Sequence, residues 1–218
     1  MLISNQVQST KDQVANIIRE AILTNQFKSG ERLNLNTIAE QIGVSLTPVR
    51  EALQDLTREG LVVSEPRKGA VVAIIDEKYV SDYYGFRIPL ECAAVRYAVE
   101  KEADLSTVKK SFNKMKISME MGEYETYGSY NLDFHEAIWT AAQNNRITDT
   151  LRSLWIGRSF NDKHDTKENA EVSFTEHKAI VSYMLLGDAN KAEEAMRLHL
   201  IRSRNDVMSN FRNDPPEN

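Results

Sequence analysis

The run Gly43-Val44-Ser45-Leu46-Thr47-Pro48-Val49-Arg50-Glu51-Ala52-Leu53 constrains this chain more than any other stretch. It reads as the turn and second helix of a helix-turn-helix. Upstream, Asn36 is placed to cap a short helix that turns Ile38, Ala39 and Ile42 inward. Gly43 then supplies the tight turn, and Ser45 is placed to cap the next helix. Pro48 falls in that helix's first turn, where a backbone N–H lacks an intrahelical partner in any case. Val49, Leu53 and Leu56 recur as a buried stripe, which leaves Thr47, Arg50 and Gln54 on another face. Beyond Glu59-Gly60, Leu61-Val62-Val63-Ser64 and Ala70-Val71-Val72-Ala73 read as a hairpin closed by Glu65-Pro66-Arg67-Lys68-Gly69. A helix-turn-helix followed by a basic-tipped wing fits a major groove, so double-stranded DNA is the expected partner.

Residues 30–73 resemble the winged helix of the GntR family of bacterial transcription regulators. The resemblance rests on Gly30-Glu31-Arg32-Leu33, Ile38-Ala39, Gly43-Val44-Ser45, Thr47-Pro48-Val49-Arg50-Glu51-Ala52-Leu53, Glu59-Gly60-Leu61-Val62 and Gly69. It implies DNA contacts from Arg32, Ser45, Thr47, Arg50, Lys68 and Gly69. One position departs: the family usually carries arginine directly after the capping serine, and this chain has Leu46. Leucine donates nothing to the O6 and N7 of guanine, although it suits a thymine methyl. One short recognition helix covers few base pairs, so the resemblance further implies a homodimer on a pseudo-palindromic operator.

A net charge of −5 would oppose DNA binding if it were spread evenly. It is not: residues 1–75 hold eight basic and eight acidic residues, so the acidic surplus lies further on. Local clustering of Arg32, Arg50, Arg67 and Lys68 then decides phosphate contact. Cys92 is the single cysteine, which excludes an intramolecular disulfide and suits a buried thiol. The chain shows no long apolar run and no signal-peptide pattern, from which a cytoplasmic protein without membrane association is expected.

Val14, Ile17, Ile18, Ala21 and Ile22 predict an opening helix over about 9–25. After the wing the periodicity is helical throughout, with helices over about 77–101, 104–121, 123–143, 146–161, 168–187 and 189–211. Gly187-Asp188 breaks the last two. The expected architecture is mainly α: a winged helix-turn-helix over residues 1–75, a helical bundle over 76–211, and a disordered tail over 212–218.

His135, His177 and His199 fall on separate predicted helices, and Asn131 lies four residues before His135, about 40° round the same helix. Bundle cores bring such side chains together around metals. The segments Asn131-Leu132-Asp133-Phe134-His135, Glu176-His177 and Arg197-Leu198-His199 resemble the FCD effector domain of the FadR-type branch of the GntR family. The resemblance implies a divalent metal held by Asn131, His135, His177 and His199, with asparagine standing where the family usually has aspartate. Imidazole ligands suit zinc, nickel, iron or manganese alike. Arg87 and Glu91, four apart, read either as a helix ion pair or as the family's arginine clamp for an effector carboxylate. Arg158 is a second candidate, while Tyr83, Tyr84 and Phe86 read as core or interface. The implied function is a repressor released by a small carboxylate or sugar acid. Two alternatives remain: a metal-dependent hydrolase with an accessory winged helix, for which the histidine segments lack an obvious partner acid, and a regulator that senses an apolar acyl ligand without metal.

Overall fold

The computed structural model describes residues 9–23, 26–74, 76–155 and 167–213. The chain divides into two compact units, with the boundary between residues 75 and 76. It is mainly α, with a winged helix-turn-helix followed by a helical domain.

The first unit contains α1 (Thr10–Leu23), α2 (Leu35–Ile42), α3 (Leu46–Arg58), β1 (Val62–Glu65) and β2 (Gly69–Val72). Helix α1 buries Val14, Ala15, Ile18 and Ile22. Helix α3 answers with Val49, Ala52, Leu53 and Leu56, each fully buried leucine or valine contributing on the order of 1.5–3 kcal/mol. Two ion pairs fasten the helices together. Arg19 forks onto Glu59 at 2.9 and 2.6 Å, and Lys11 reaches Asp55 at 2.8 Å.

The cap of α2 corrects the sequence reading. Asn34, not Asn36, is the capping residue: its Oδ1 accepts from the backbone N–H groups of Asn36 and Thr37 at 3.0 and 3.3 Å. The helix begins at Leu35, which leaves Asn36 exposed in the first turn. Gly43 closes α2 at φ 79°, a left-handed geometry that costs glycine nothing, and its N–H returns to the Ala39 carbonyl. Ser45 occupies the cap position of α3 in extended geometry, but its side chain makes no capping hydrogen bond.

The wing pairs antiparallel in the register Val62↔Val72 to Glu65↔Gly69. The segment before α2 adds to its edge, with Arg32 bridging Val71 and the Leu33 N–H donating to the Ala70 carbonyl at 2.9 Å.

The second unit comprises α4 (Glu77–Glu100), α5 (Ser106–Met121), α6 (Tyr124–Ala141), α7 (Asn145–Leu154), α8 (Lys167–Leu185) and α9 (Ala189–Asn213). Helix α7 ends at Leu154; the remainder of the predicted 146–161 helix is outside the described residues apart from Trp155. Helix α9 continues two residues beyond the predicted end. Asp76 caps α4 by accepting from the Tyr79 N–H at 2.8 Å, and Asp188 caps α9 by accepting from the Lys191 N–H at 3.0 Å. Val95, Ala98, Met115, Ile138, Trp139, Ile180 and Met196 fill the core. Helix α4 carries Pro89 in its interior, four residues after Gly85. Cys92 is buried, as its setting implied. Among the described residues, no helix is long and apolar enough to cross a membrane.

Candidate functional site

Three helices of the second unit each turn one histidine into the bundle interior: α6 supplies His135, α8 His177 and α9 His199. All three are buried, and a ligating nitrogen of each lies within 4.8 Å of the others. The Nε2 atoms of His177 and His199 stand 3.2 Å apart. Two nitrogens on a tetrahedral ion with bonds of about 2.0–2.1 Å are separated by about 3.3 Å, so this pair already has a ligand-like spacing.

The outer nitrogens are engaged. His135 Nδ1 faces Glu91 Oε2 at 3.2 Å and His199 Nδ1 faces Glu176 Oε2 at 2.7 Å. A carboxylate only accepts, so each Nδ1 donates. In the neutral ring this leaves Nε2 with its lone pair directed inward, the arrangement seen behind metal-ligating imidazoles. His177 Nδ1 pairs with the Tyr127 hydroxyl at 3.0 Å, a group able to accept or donate. Burial pushes His177 well below the ordinary imidazole range, with the neighbouring histidines adding to the effect. Burial likewise takes His199 down to about 4, against the opposing effect of the hydrogen bond it donates to Glu176. Both rings are therefore neutral near pH 7, the form that coordinates.

Among the described residues, two buried side-chain atoms have no hydrogen-bond partner: His135 Nε2 and Asn131 Oδ1. They belong to residues one turn apart on α6, and both residues line the same small cavity. Buried polar atoms without partners are rare, and each costs about 1–3 kcal/mol. A cation ligated by both would remove that cost. The donor set of three imidazoles and one amide oxygen thus fits a divalent ion.

Arg87 and Glu91 form an ion pair, but a buried one. Arg87 Nε and Nη2 donate to Glu91 Oε1 at 3.1 and 2.9 Å, and Nη1 points to the Tyr83 hydroxyl at 3.4 Å. The other Glu91 oxygen accepts from Trp139 Nε1 at 2.7 Å as well as from His135. Burial alone would favour a protonated Glu91, yet His135, Arg87 and these hydrogen bonds hold its carboxyl at about 2. One residue thus neutralises Arg87 and aims His135. Tyr83 and Tyr84 are buried as expected, and both also line the cavity, whereas Phe86 is exposed. Arg158 is outside the described residues.

Sequence reasoning missed Glu176, Tyr127 and Arg202. Glu176 links His199 to Arg202, accepting from Arg202 Nε at 2.7 Å. The available signal was the i, i+3 spacing of His199 and Arg202, which puts both on one face of α9 opposite a single acid. Glu91 and Glu176 orient His135 and His199 by accepting from their Nδ1 atoms, a positioning role and not that of a general base.

In the first unit, Thr47, Arg50 and Gln54 lie exposed on α3, and Leu46 at its start is 39% exposed. Arg50 and Gly69 line one shallow groove of about 390 Å³ between α3 and the wing. Lys68 pairs with Glu65 at 2.7 Å. Arg32 is exposed beside β2, two residues along the ladder from Gly69.

Comparison with known proteins gives consistent matches over both units. A profile described as bacterial regulatory proteins, gntR family, matches residues 10–72, and the FCD domain profile matches residues 82–202. The HTH-type transcriptional regulator McbR of Escherichia coli K12 is 29% identical over 186 residues, covering 84% of this chain and 82% of its own. The gluconate operon transcriptional repressor of Bacillus subtilis 168 is 33% identical over 141 residues, covering 64% of this chain and 58% of its own. The solved structure of E. coli McbR/YncC superposes with a TM-score of 0.75 at 20% identity, covering 93% of this chain and 99% of that one, a likeness of fold.

Proposed function

The chain belongs to the GntR family of bacterial regulators, with the FCD domain as its second unit, and from that premise we propose that it is a homodimeric repressor released by a small organic acid bound beside a divalent metal. It is a DNA-binding transcription regulator, and family membership sets the hydrolase reading aside. The observation that carries the finer reading is the pair of buried, partnerless atoms, Asn131 Oδ1 and His135 Nε2, in the cavity beside the clustered imidazoles. A polar cavity of this kind argues against an apolar acyl ligand.

Asn131, His135, His177 and His199 are the proposed ligands of the ion. When bound, it supplies an uncompensated positive charge, because three neutral imidazoles and an amide bring none of the opposite sign. That charge attracts an anion despite the acidic balance of this half of the chain. The gluconate operon repressor, named for the operon of a sugar acid, supports the ligand class. In the first unit, Arg32, Ser45, Thr47, Arg50, Lys68 and Gly69 are the proposed DNA contacts. The uncapped Ser45 hydroxyl is left available for a phosphate.

Regulation requires that the acid bind one arrangement of the dimer more tightly than the other, since equal affinity shifts nothing. The test is a thermal-shift screen of carboxylates and sugar acids on zinc-loaded and metal-stripped protein, followed by operator titration with each hit. Stabilisation confined to loaded protein, with weakened operator binding, is the expected result. Equal stabilisation of both forms removes the metal from the ligand site, and unchanged operator affinity removes the regulatory link.

A further inference from the structure

The cavity beside the histidines has a volume of only about 30 Å³. That holds an ion or a water or two, whereas clefts for small organic ligands run to roughly 300–1,000 Å³. Any acid larger than the smallest therefore has to move part of the wall. Most of the wall is tied down: Tyr83 donates to the Leu154 carbonyl at 2.9 Å, Arg87 is held by Glu91, and His199 by Glu176. Trp155 is not. It is half-buried at the end of α7. Among the described residues its ring makes a cation–π contact 4.5 Å from Arg87 Cζ, a tilted contact with the His135 ring at 5.3 Å and an edge-on contact with that of Trp139 at 5.6 Å.

The position of the indole is chemically pointed. The Nε and Nη2 edge of Arg87 is occupied by Glu91, and a face of the guanidinium is covered by Trp155. An anion seeking both the metal ligands and Arg87 meets the indole in the space it needs. We propose that Trp155 determines which acids the site accepts: an acid of more than one or two carbons binds only as the indole leaves Arg87. The guanidinium then exchanges a cation–π contact for a carboxylate contact through Nη1. This rests on the reading of the site as a metal-bound carboxylate sensor, and adds to it a size threshold and a moving part.

The experiment titrates formate, D-gluconate and citrate into the zinc-loaded full-length protein and into Trp155→Ala, with calorimetry and tryptophan emission read together. Stacking contacts of this strength hold back a competing ligand by about ten- to hundred-fold. Trp155→Ala should accordingly bind whichever of gluconate or citrate the wild type accepts that much more tightly, with formate changed less than about three-fold. Wild-type emission should shift red with the larger acid and not with formate. Trp155→Leu, which retains apolar bulk without the stacking, should fall between the two and guards against misfolding of the alanine variant. Equal affinity for the larger acid in all three proteins, with wild-type emission unmoved, overturns the role of Trp155 and leaves the sensor reading intact. Absence of carboxylate binding in every protein overturns the sensor reading and this inference with it.

Discussion

Replacing Glu91 with glutamine should damage this protein more than any surface charge change, and the size of the loss follows from its contacts. Glu91 is fully buried; one oxygen serves Arg87, and the other serves Trp139 and His135. The amide keeps the shape but loses the charge, which leaves a buried guanidinium without a counter-ion, at about 3–5 kcal/mol. It also has one accepting oxygen for four N–H donors from three residues. An orphaned indole or imidazole N–H costs about 1–3 kcal/mol alone, but these costs overlap, so the expected total is about 4 kcal/mol. In urea, with a dependence of about 1–3 kcal/mol per molar, the midpoint for metal-free protein should fall by more than about 1 M. Far-UV circular dichroism of wild type and Glu91→Gln, both stripped of metal, measures it. The double variant Arg87→Met with Glu91→Gln should recover part of the loss, because the stranded charge has gone. A loss below about 1 kcal/mol in the single variant would refute the premise that Glu91 compensates a buried charge.

Four further outcomes follow from the two sites. Arg50→Ala should weaken operator binding by about 1–3 kcal/mol if it reads a base, or reduce the salt slope by about one if it holds phosphate; a binding titration across salt separates these, and no change in either removes Arg50 from the surface. Leu46→Arg should bring guanine into the selected half-site, and site selection returning the wild-type preference would mean that the start of α3 faces elsewhere. Tyr127→Phe removes the hydroxyl beside His177 Nδ1 and should lower zinc affinity about 10–100-fold while leaving the helical content unchanged. Asn131→Asp should tighten zinc binding by adding a charged oxygen, with competition against a chelator as the measurement; an unchanged constant places residue 131 outside the ligand set.

The parts of this fold that were legible in the sequence are local. Gly43 can close a helix with left-handed geometry whatever surrounds it, and Val49, Leu53 and Leu56 announce a buried stripe by spacing alone. The cap of α2 was misread because Asn34 and Asn36 are both good capping residues two positions apart, and the choice depends on where Leu33 and Ile38 pack. The histidines were found because the segments around His135, His177 and His199 resemble the FCD domain; three imidazoles on separate helices leave a plain core role equally open. Their supports were not, since Glu91 reaches His135 across 44 positions and Tyr127 reaches His177 across 50. Such pairings exist only once the helices are packed. The narrowness of the cavity is a further property of packing that no spacing encodes.

Pro89 sits one turn past Gly85 on α4, with Arg87 midway between them. Proline has no N–H to offer the carbonyl four residues back, and its ring crowds that carbonyl. A glycine there leaves the most room, and Gly85 has open space where a Cβ would be. Helix α4 is therefore mechanically uneven: two stiff rods, Glu77 to Phe86 and Leu90 to Glu100, in series through a softer link. Load applied at the link is converted into a change of angle between the rods, because bending is cheapest where a rung of the ladder is missing. Arg87, the residue proposed to meet the acid, thus sits at the elastic weak point of the helix that carries it.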